Sequence, residues 1–289
     1  MKRLLIIVLA LTPLHLYAAT PARLTFFPIA PLQGDTLIIK LTQKPTALTW
    51  NSQAVTVFPY GSTYSASSGQ VSSVQTFRAL IPLAATAKTG TYPLVATFPD
   101  GTIEQRMIEV TKATFTVINL PVPPKLNETP AQLVTSLVAV NKNINATVNK
   151  PTEQLYFSEP FVLPLYNNRT IGSQFGEVRK TGSEEIRHLG TDFTAKTGTP
   201  VAAINAGMVS KSYLDTTYGE TVIIDHGYGI YTLYMHLNTR TVKAGDMVKK
   251  GTLIGTVGET GYASGPHLHL SIKINGTSVD PLRFVRLFR

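Results

Sequence analysis

Gly265-Pro266-His267-Leu268-His269-Leu270-Ser271-Ile272 is the stretch whose reading decides the fold. His267 and His269 are two apart and flanked by Leu268, Leu270 and Ile272, so an extended chain aims both imidazoles at one face and Leu268 at the other. Gly265 and Pro266 set the entry into such a strand. Upstream, Arg187-His188-Leu189-Gly190-Thr191-Asp192 spaces an imidazole and a carboxylate four apart, which puts them on one face under either period. Gly190 and β-branched Thr191 favour the extended form. Tyr234-Met235-His236-Leu237 supplies a further imidazole, so four of the six histidines fall in these three pieces.

His188, Asp192 and His269 together offer two nitrogens and one carboxylate oxygen, the protein share of a catalytic zinc site with one position left for water. His236 and His267 remain as proton carriers, because imidazole titrates near neutrality. Hydrogen-bonded structural histidines fit the same residues, and spacing alone leaves both readings open.

The segment resembles the catalytic domain of the LytM/lysostaphin-type zinc metallopeptidases. The resemblance covers residues 173–284 and runs through His188-x-Gly190-x-Asp192, Gly198-Thr-Pro-Val201, Ala206-Gly-x-Val209, Tyr234-x-His236-Leu237, Gly245-Asp-x-Val248, Gly255-x-x-Gly258 and Thr260-Gly-x-x-x-Gly-Pro-His-Leu-His269. It implies one zinc ion held by His188, Asp192 and His269, with His236 and His267 as non-ligand catalytic histidines. It also implies hydrolysis of peptide cross-links in bacterial peptidoglycan, either at a D-alanyl to diamino-acid bond or within a glycine-rich bridge; a simple signal peptide and no visible wall-sorting signal make a D,D-endopeptidase the first expectation. The rival expectations are a catalytically inactive peptidoglycan-binding or amidase-activating protein on the same fold, which would have lost ligands, and an adhesin whose metal is a structural staple. All five site residues are present, which favours the enzyme. No His-Glu-x-x-His helix is present, so the glutamate base of that metalloprotease class is absent.

The rest of the chain sets the surroundings. Lys2, Arg3, an apolar run over 4–16 and Tyr17-Ala18-Ala19 read as a signal peptide over 1–19, too short for a transmembrane span. The expected destination is the periplasm or the cell-wall exterior, with the mature protein soluble. The chain has no cysteine, so no disulfide or thiolate metal site is available, and its net charge of +9 suits an anionic polymer. The basic residues are scattered, with no RNA-reading motif, and export makes nucleic acid a poor partner.

At 289 residues, two domains are expected, in an all-β-dominated arrangement. Residues 20–118 read as an immunoglobulin-like β-sandwich, with short strands at 36–41, 54–58, 74–81, 92–98, 103–110 and 114–118 separated by Gly/Pro turns. Trp50 is expected to pack there. Residues 119–160 form a linker: Asn119-Leu-Pro-Val-Pro-Pro-Lys125, then a helix begun at Thr129-Pro130 and running to about Asn143, then a loop over 145–159. Residues 161–289 form the peptidase domain, whose plainest hairpin pairs Thr221-Val-Ile-Ile-Asp225 with Tyr231-Thr-Leu-Tyr234. His226 at its bend reads as structural or groove-lining, and Tyr231, Tyr234 or Tyr262 as groove-lining. In some proenzymes of this kind an upstream segment blocks the metal, a role open here to Asn167 or Asn168 in the 161–180 segment; an ordinary turn explains the pair more cheaply.

Overall fold

The computed structural model describes residues 22–67, 70–122, 127–166 and 170–288. The proposed signal peptide, the end of the proline-rich stretch and Asn167-Asn168 lie outside the described residues. Among the described residues, no helix is long and apolar enough to cross a membrane.

The architecture is all-β-dominated, with two β-sheet domains joined by a segment carrying a helix. The front domain contains β1 (Leu24–Phe27), β2 (Thr36–Leu41), β3 (Ala47–Trp50), β4 (Gln53–Ala54), β5 (Phe58–Ser67), β6 (Gln70–Pro82), β7 (Gly90–Thr97) and β8 (Ile103–Val110). These form two four-stranded antiparallel sheets, β1-β2-β6-β5 and β4-β3-β7-β8. Strand alternation explains the core between them: Leu37, Ile39 and Leu41 of β2 meet Leu94 and Ala96 of β7 and Ile108 and Val110 of β8. Trp50 packs against this core, its ring centroid 5.5 Å from that of Tyr92. The expected strand over 54–58 is instead a junction, β4 ending at Ala54 and β5 starting at Phe58.

The joining segment begins with β9 (Val117–Asn119) and α1 (Pro130–Val148). The strand expected over 114–118 does not belong to the sandwich. It survives only as β9, which pairs in parallel with a strand near the histidine cluster. Three residues carry too little pattern to specify a partner. Thr129 caps α1 in a capping box with Gln132. The helix runs five residues past Asn143, because Ile144 and Val148 bury against the sheet below, so the expected loop starts later.

The second domain contains β10 (Ile171–Ser173), β11 (Val178–Thr181), β12 (Glu184–Arg187), β13 (Thr191–Thr194), β14 (Pro200–Ala202), β15 (Gly207–Asp215), β16 (Gly219–Gly227), β17 (Ile230–Arg240), β18 (Met247–Val248), β19 (Leu253–Val257), β20 (His267–Ile274), β21 (Thr277–Val279) and α2 (Pro281–Leu287). The main sheet runs β10-β13-β20-β17-β16-β15-β18, with β21 on β20 and the β14–β19 pair joined through β17. A smaller sheet, β12-β11-β9, stands beside it. The β16–β17 hairpin turns at Tyr228-Gly229, both at positive φ (49° and 78°), the backbone of a two-residue hairpin loop.

One face of the main sheet carries Leu268, Leu270, Ile272 and Ile274 into a core that also takes Phe193, Phe161 and Phe284. The same cluster includes Ile38, Phe58 and Leu80 of the front domain. Arg283 Nη1 pairs with Asp35 Oδ1 at 3.0 Å, and the Asp280 amide donates to the Gly34 carbonyl at 2.8 Å. The opposite face of the sheet is partly covered by α1, through Ile144 and Val148 on Ile223, Tyr231, Leu233 and Met235. Its remainder is open and carries the histidines.

Candidate metal centre and groove

Asp192 and His269 are direct cross-strand partners in the β13–β20 pairing. That register brings a carboxylate and an imidazole together on the open face: His269 Nδ1 lies 2.8 Å from Asp192 Oδ1. His188, from the turn between β12 and β13, adds Nε2 at 3.0 Å from Asp192 Oδ1 and 3.0 Å from His269 Nδ1. Gly190 permits this approach, since a Cβ there would meet His269 Cε1 and the Leu270 carbonyl oxygen, each at 2.6 Å.

The three ligand-type atoms lie within 4.8 Å of one another, on buried side chains. His188 Nδ1 is 2.8 Å from the Gln174 carbonyl oxygen, an acceptor, so Nδ1 carries the proton and Nε2 of the neutral ring turns a lone pair to the cluster. With both rings neutral, at most one proton, on His269 Nδ1, serves three converging lone-pair atoms. A cation satisfies all three, and a nitrogen–nitrogen–carboxylate set suits zinc. Burial opposes ionisation of Asp192, yet its electrostatic and hydrogen-bond interactions with His188 and His269 hold its carboxyl well below the usual range. Burial foremost pushes His269 down to about 4, keeping it neutral as a ligand must be.

His236 and His267 stand beside the cluster, ring centroids 4.8 Å apart. Each has Nδ1 at 2.8 Å from a backbone carbonyl, that of Thr260 for His236 and that of Gly265 for His267. Their Nδ1 atoms are therefore the protonated ones, and Nε2 is left for exchange. His267 Nε2 lies 3.8 Å from Asp192 Oδ1. Burial first, then the neighbouring His267 and His269, pushes His236 down to about 3. His236 reaches this side of the sheet by a local irregularity: its φ is +61°, next to register shifts in the pairings of β17. Regular alternation would turn it away from the face that Met235 shares with α1.

A groove of about 480 Å³ opens over these side chains. Tyr218, Tyr262, Ala263 and Pro266 line it from the main sheet and its loops, and Ile118, Leu120, Leu137 and Asn141 from β9, its exit and α1. Tyr231 and Tyr234, expected in the groove, are buried instead. The Tyr231 hydroxyl donates to the Lys150 carbonyl, and the Tyr234 hydroxyl accepts from the Ile204 amide. His226 is also fully buried, between the Ala206 carbonyl and the Thr232 hydroxyl, so it is structural and not groove-lining. Three groove residues had no signal in the spacing of the sequence. Arg179 holds Asp192, Tyr218 stacks 6.4 Å from His269, and Lys273 lies farther along β20.

Residues 186–281 match the model of Peptidase family M23. The chain is 34% identical to the catalytic domain of lysostaphin from Staphylococcus simulans over an alignment covering 42% of this chain and 93% of that one, with a TM-score of 0.39. The chain belongs to peptidase family M23. It is 45% identical to peptidoglycan DD-endopeptidase ShyC of Vibrio cholerae over 116 residues, 40% of this chain and 25% of that protein. It spans about a quarter of the length of the curated relatives it matches. A putative M23 peptidase from Pseudomonas aeruginosa shares the fold across both domains, with a TM-score of 0.61 over 88% of this chain and 95% of that one, at 22% identity. The M23 match begins at Ile186, so Arg179, β9 and α1 are contributions to the groove from outside it.

Proposed function

We propose that this M23 protein is an exported zinc endopeptidase that hydrolyses peptide cross-links of bacterial peptidoglycan, as a DD-endopeptidase in wall remodelling. The observation that carries the reading is the convergence of His188 Nε2, Asp192 Oδ1 and His269 Nδ1 beside two imidazoles that are not needed as ligands. The relationship to ShyC supports the choice of bond.

His188, Asp192 and His269 would hold the ion. Bound zinc supplies Lewis acidity toward the peptide carbonyl and acidifies water. The remaining chemistry belongs to the chain. His236 and His267 each keep Nδ1 tied to a carbonyl, which fixes the ring and directs Nε2. One accepts the proton that water loses as it attacks the carbonyl carbon and, now an Nε2–H donor, passes it to the leaving amine nitrogen. The other stands within 4.8 Å, ring to ring, to hydrogen-bond the oxygen on which negative charge develops. Tyr218, raised to about 12 chiefly by burial, stays protonated and backs the cluster.

The test is digestion of purified sacculi by the zinc-loaded protein, with mass analysis of the soluble products, beside Asp192→Ala and His236→Ala. Release of un-cross-linked stem peptides, lost in both variants, is the expected result. Zinc binding without any release moves the assignment to a wall-binding or amidase-activating role.

A further inference from the structure

Beyond the histidine cluster, the groove wall carries a buried cation with no counter-charge among the described residues. Lys273 follows His267, His269 and Ser271 at strand spacing on β20, lines the groove and is 7% exposed. Its Nζ donates to Ser278 Oγ at 3.0 Å, across the β20–β21 pair, and to the Gly276 carbonyl at 3.4 Å. Both partners are neutral, and Lys273 forms no ion pair among the described residues. Burial lowers its pKa to about 8, which leaves the ammonium largely charged at neutrality. A buried charge is costly unless it is paired.

The other charges of the groove do not supply the missing partner. Asp192 is the one acidic side chain among the described lining residues, and it is engaged by Arg179 and two histidines. Arg179 is neutralised by Glu177 and Asp192. Arg187, also lining the groove, donates to the Gly176 carbonyl and lies over the Phe115 ring, without a carboxylate among the described residues. The groove therefore has an excess of positive charge even before a metal is counted, and its most buried cation is held by two neutral oxygens on the wall.

We propose that Lys273 is a substrate-recognition residue, its ammonium pairing with a carboxylate of the peptide bound in the groove. The proposal rests on the peptidase reading of the same groove. One ammonium beside one hydroxyl matches a single negative charge, as on a carboxylate, better than a phosphate dianion. Four residues of strand separate Lys273 from His269, or about 13 Å at ~3.3 Å per residue. Allowing for side-chain reach, the recognised carboxylate lies roughly two to four residues from the bond cut, on an extended peptide advancing ~3.4 Å per residue. Peptides whose acidic groups are amidated become poor substrates on this account.

The test uses the zinc-loaded full chain and a series of cross-linked stem peptides, each carrying one carboxamide in place of one carboxylate. Cleavage is followed by chromatography, and binding to metal-stripped wild-type protein by calorimetry. One amidation is expected to weaken binding and raise KM ~10-fold, the scale of one charge-assisted hydrogen bond. Lys273→Met is expected to erase that discrimination and Lys273→Arg to retain it. Equal handling of every peptide by the wild type, or discrimination undiminished in a folded Lys273→Met protein, overturns the assignment. If Lys273→Met does not fold, as read by its melting curve, discrimination by the wild type that persists in Lys273→Arg supports it. Carboxylate-selective binding that depends on Lys273, without cleavage, removes the peptidase reading and leaves Lys273 as the anion site.

Discussion

Arg179 and Asp192 stand on strands of two different sheets, β11 and β13, and meet side chain to side chain. Arg179 Nη2 donates to Asp192 Oδ2 at 2.8 Å, and Arg179 Nε donates to Glu177 Oε1 at 3.0 Å. One carboxylate oxygen is thereby occupied, and Oδ1 is left facing His188 and His269. Outer partners of this kind orient a metal ligand, so Arg179→Ala should weaken zinc affinity ~10–100-fold. Chelator competition measures it. Arg179→Lys should recover little, because an ammonium cannot span Glu177 and Asp192 as the guanidinium does.

His236→Ala and His267→Ala should each keep the zinc and lose activity, by ~10²–10⁴-fold in kcat. Metal content measured beside turnover separates this outcome from ligand loss. A variant that loses zinc in proportion to activity would identify its histidine as a ligand.

Gly190→Ala should be severe for one methyl group. Its Cβ has no room between the His269 ring and the Leu270 carbonyl, so β13 must move away from β20. Roughly 2–3 kcal/mol of stability should go with it, as for an overpacked core, together with zinc affinity. Urea unfolding and metal titration read the two effects.

His226 gives the fold a specific acid sensitivity. Burial pushes its pKa down to about 4 from an ordinary 6.5, so the unfolded chain binds the proton more readily. Its contribution is complete above about 6.5 and is lost as pH falls toward 4, up to about 3 kcal/mol in total. Unfolding free energy measured from pH 7 to 4 should fall more steeply in the wild type than in His226→Gln. Parallel slopes would refute the assignment.

Ile144→Ala should loosen α1, which rests on the sheet through Ile144 and Val148 while presenting Leu137 and Asn141 to the groove. Deleting a buried isoleucine to alanine costs about 2–5 kcal/mol. Hydrogen exchange over α1 should accelerate before the main sheet responds.

Much of this molecule was legible in the chain. His267-Leu268-His269-Leu270 announces a strand with one polar face, and Thr129-Pro130 announces the start of α1. Those signals are local, set by side-chain period and capping, and need no partner to be read. The spacing of His188, Asp192 and His269 raises a metal centre as a hypothesis; the cross-strand register of Asp192 and His269 is what brings the cluster together. The left-handed backbone at His236 escaped the sequence, because strand alternation assumes regular pairing and β17 breaks it there. Tyr231 and Tyr234 were misread for a related reason: a tyrosine has the same composition signal whether its hydroxyl meets solvent or a buried backbone partner.

What the sequence determined by itself was the set of short-range choices: strand periods, turns, helix starts and the chemical types available to a site. Only the tertiary structure decided that β9 leaves the sandwich for β11, that Arg179 holds Asp192, and that Lys273 faces the groove without a counter-ion among the described residues. The physical reason is that pairing register, burial and charge compensation depend on residues far apart in the chain, and they acquire values only when the sheets close on one another.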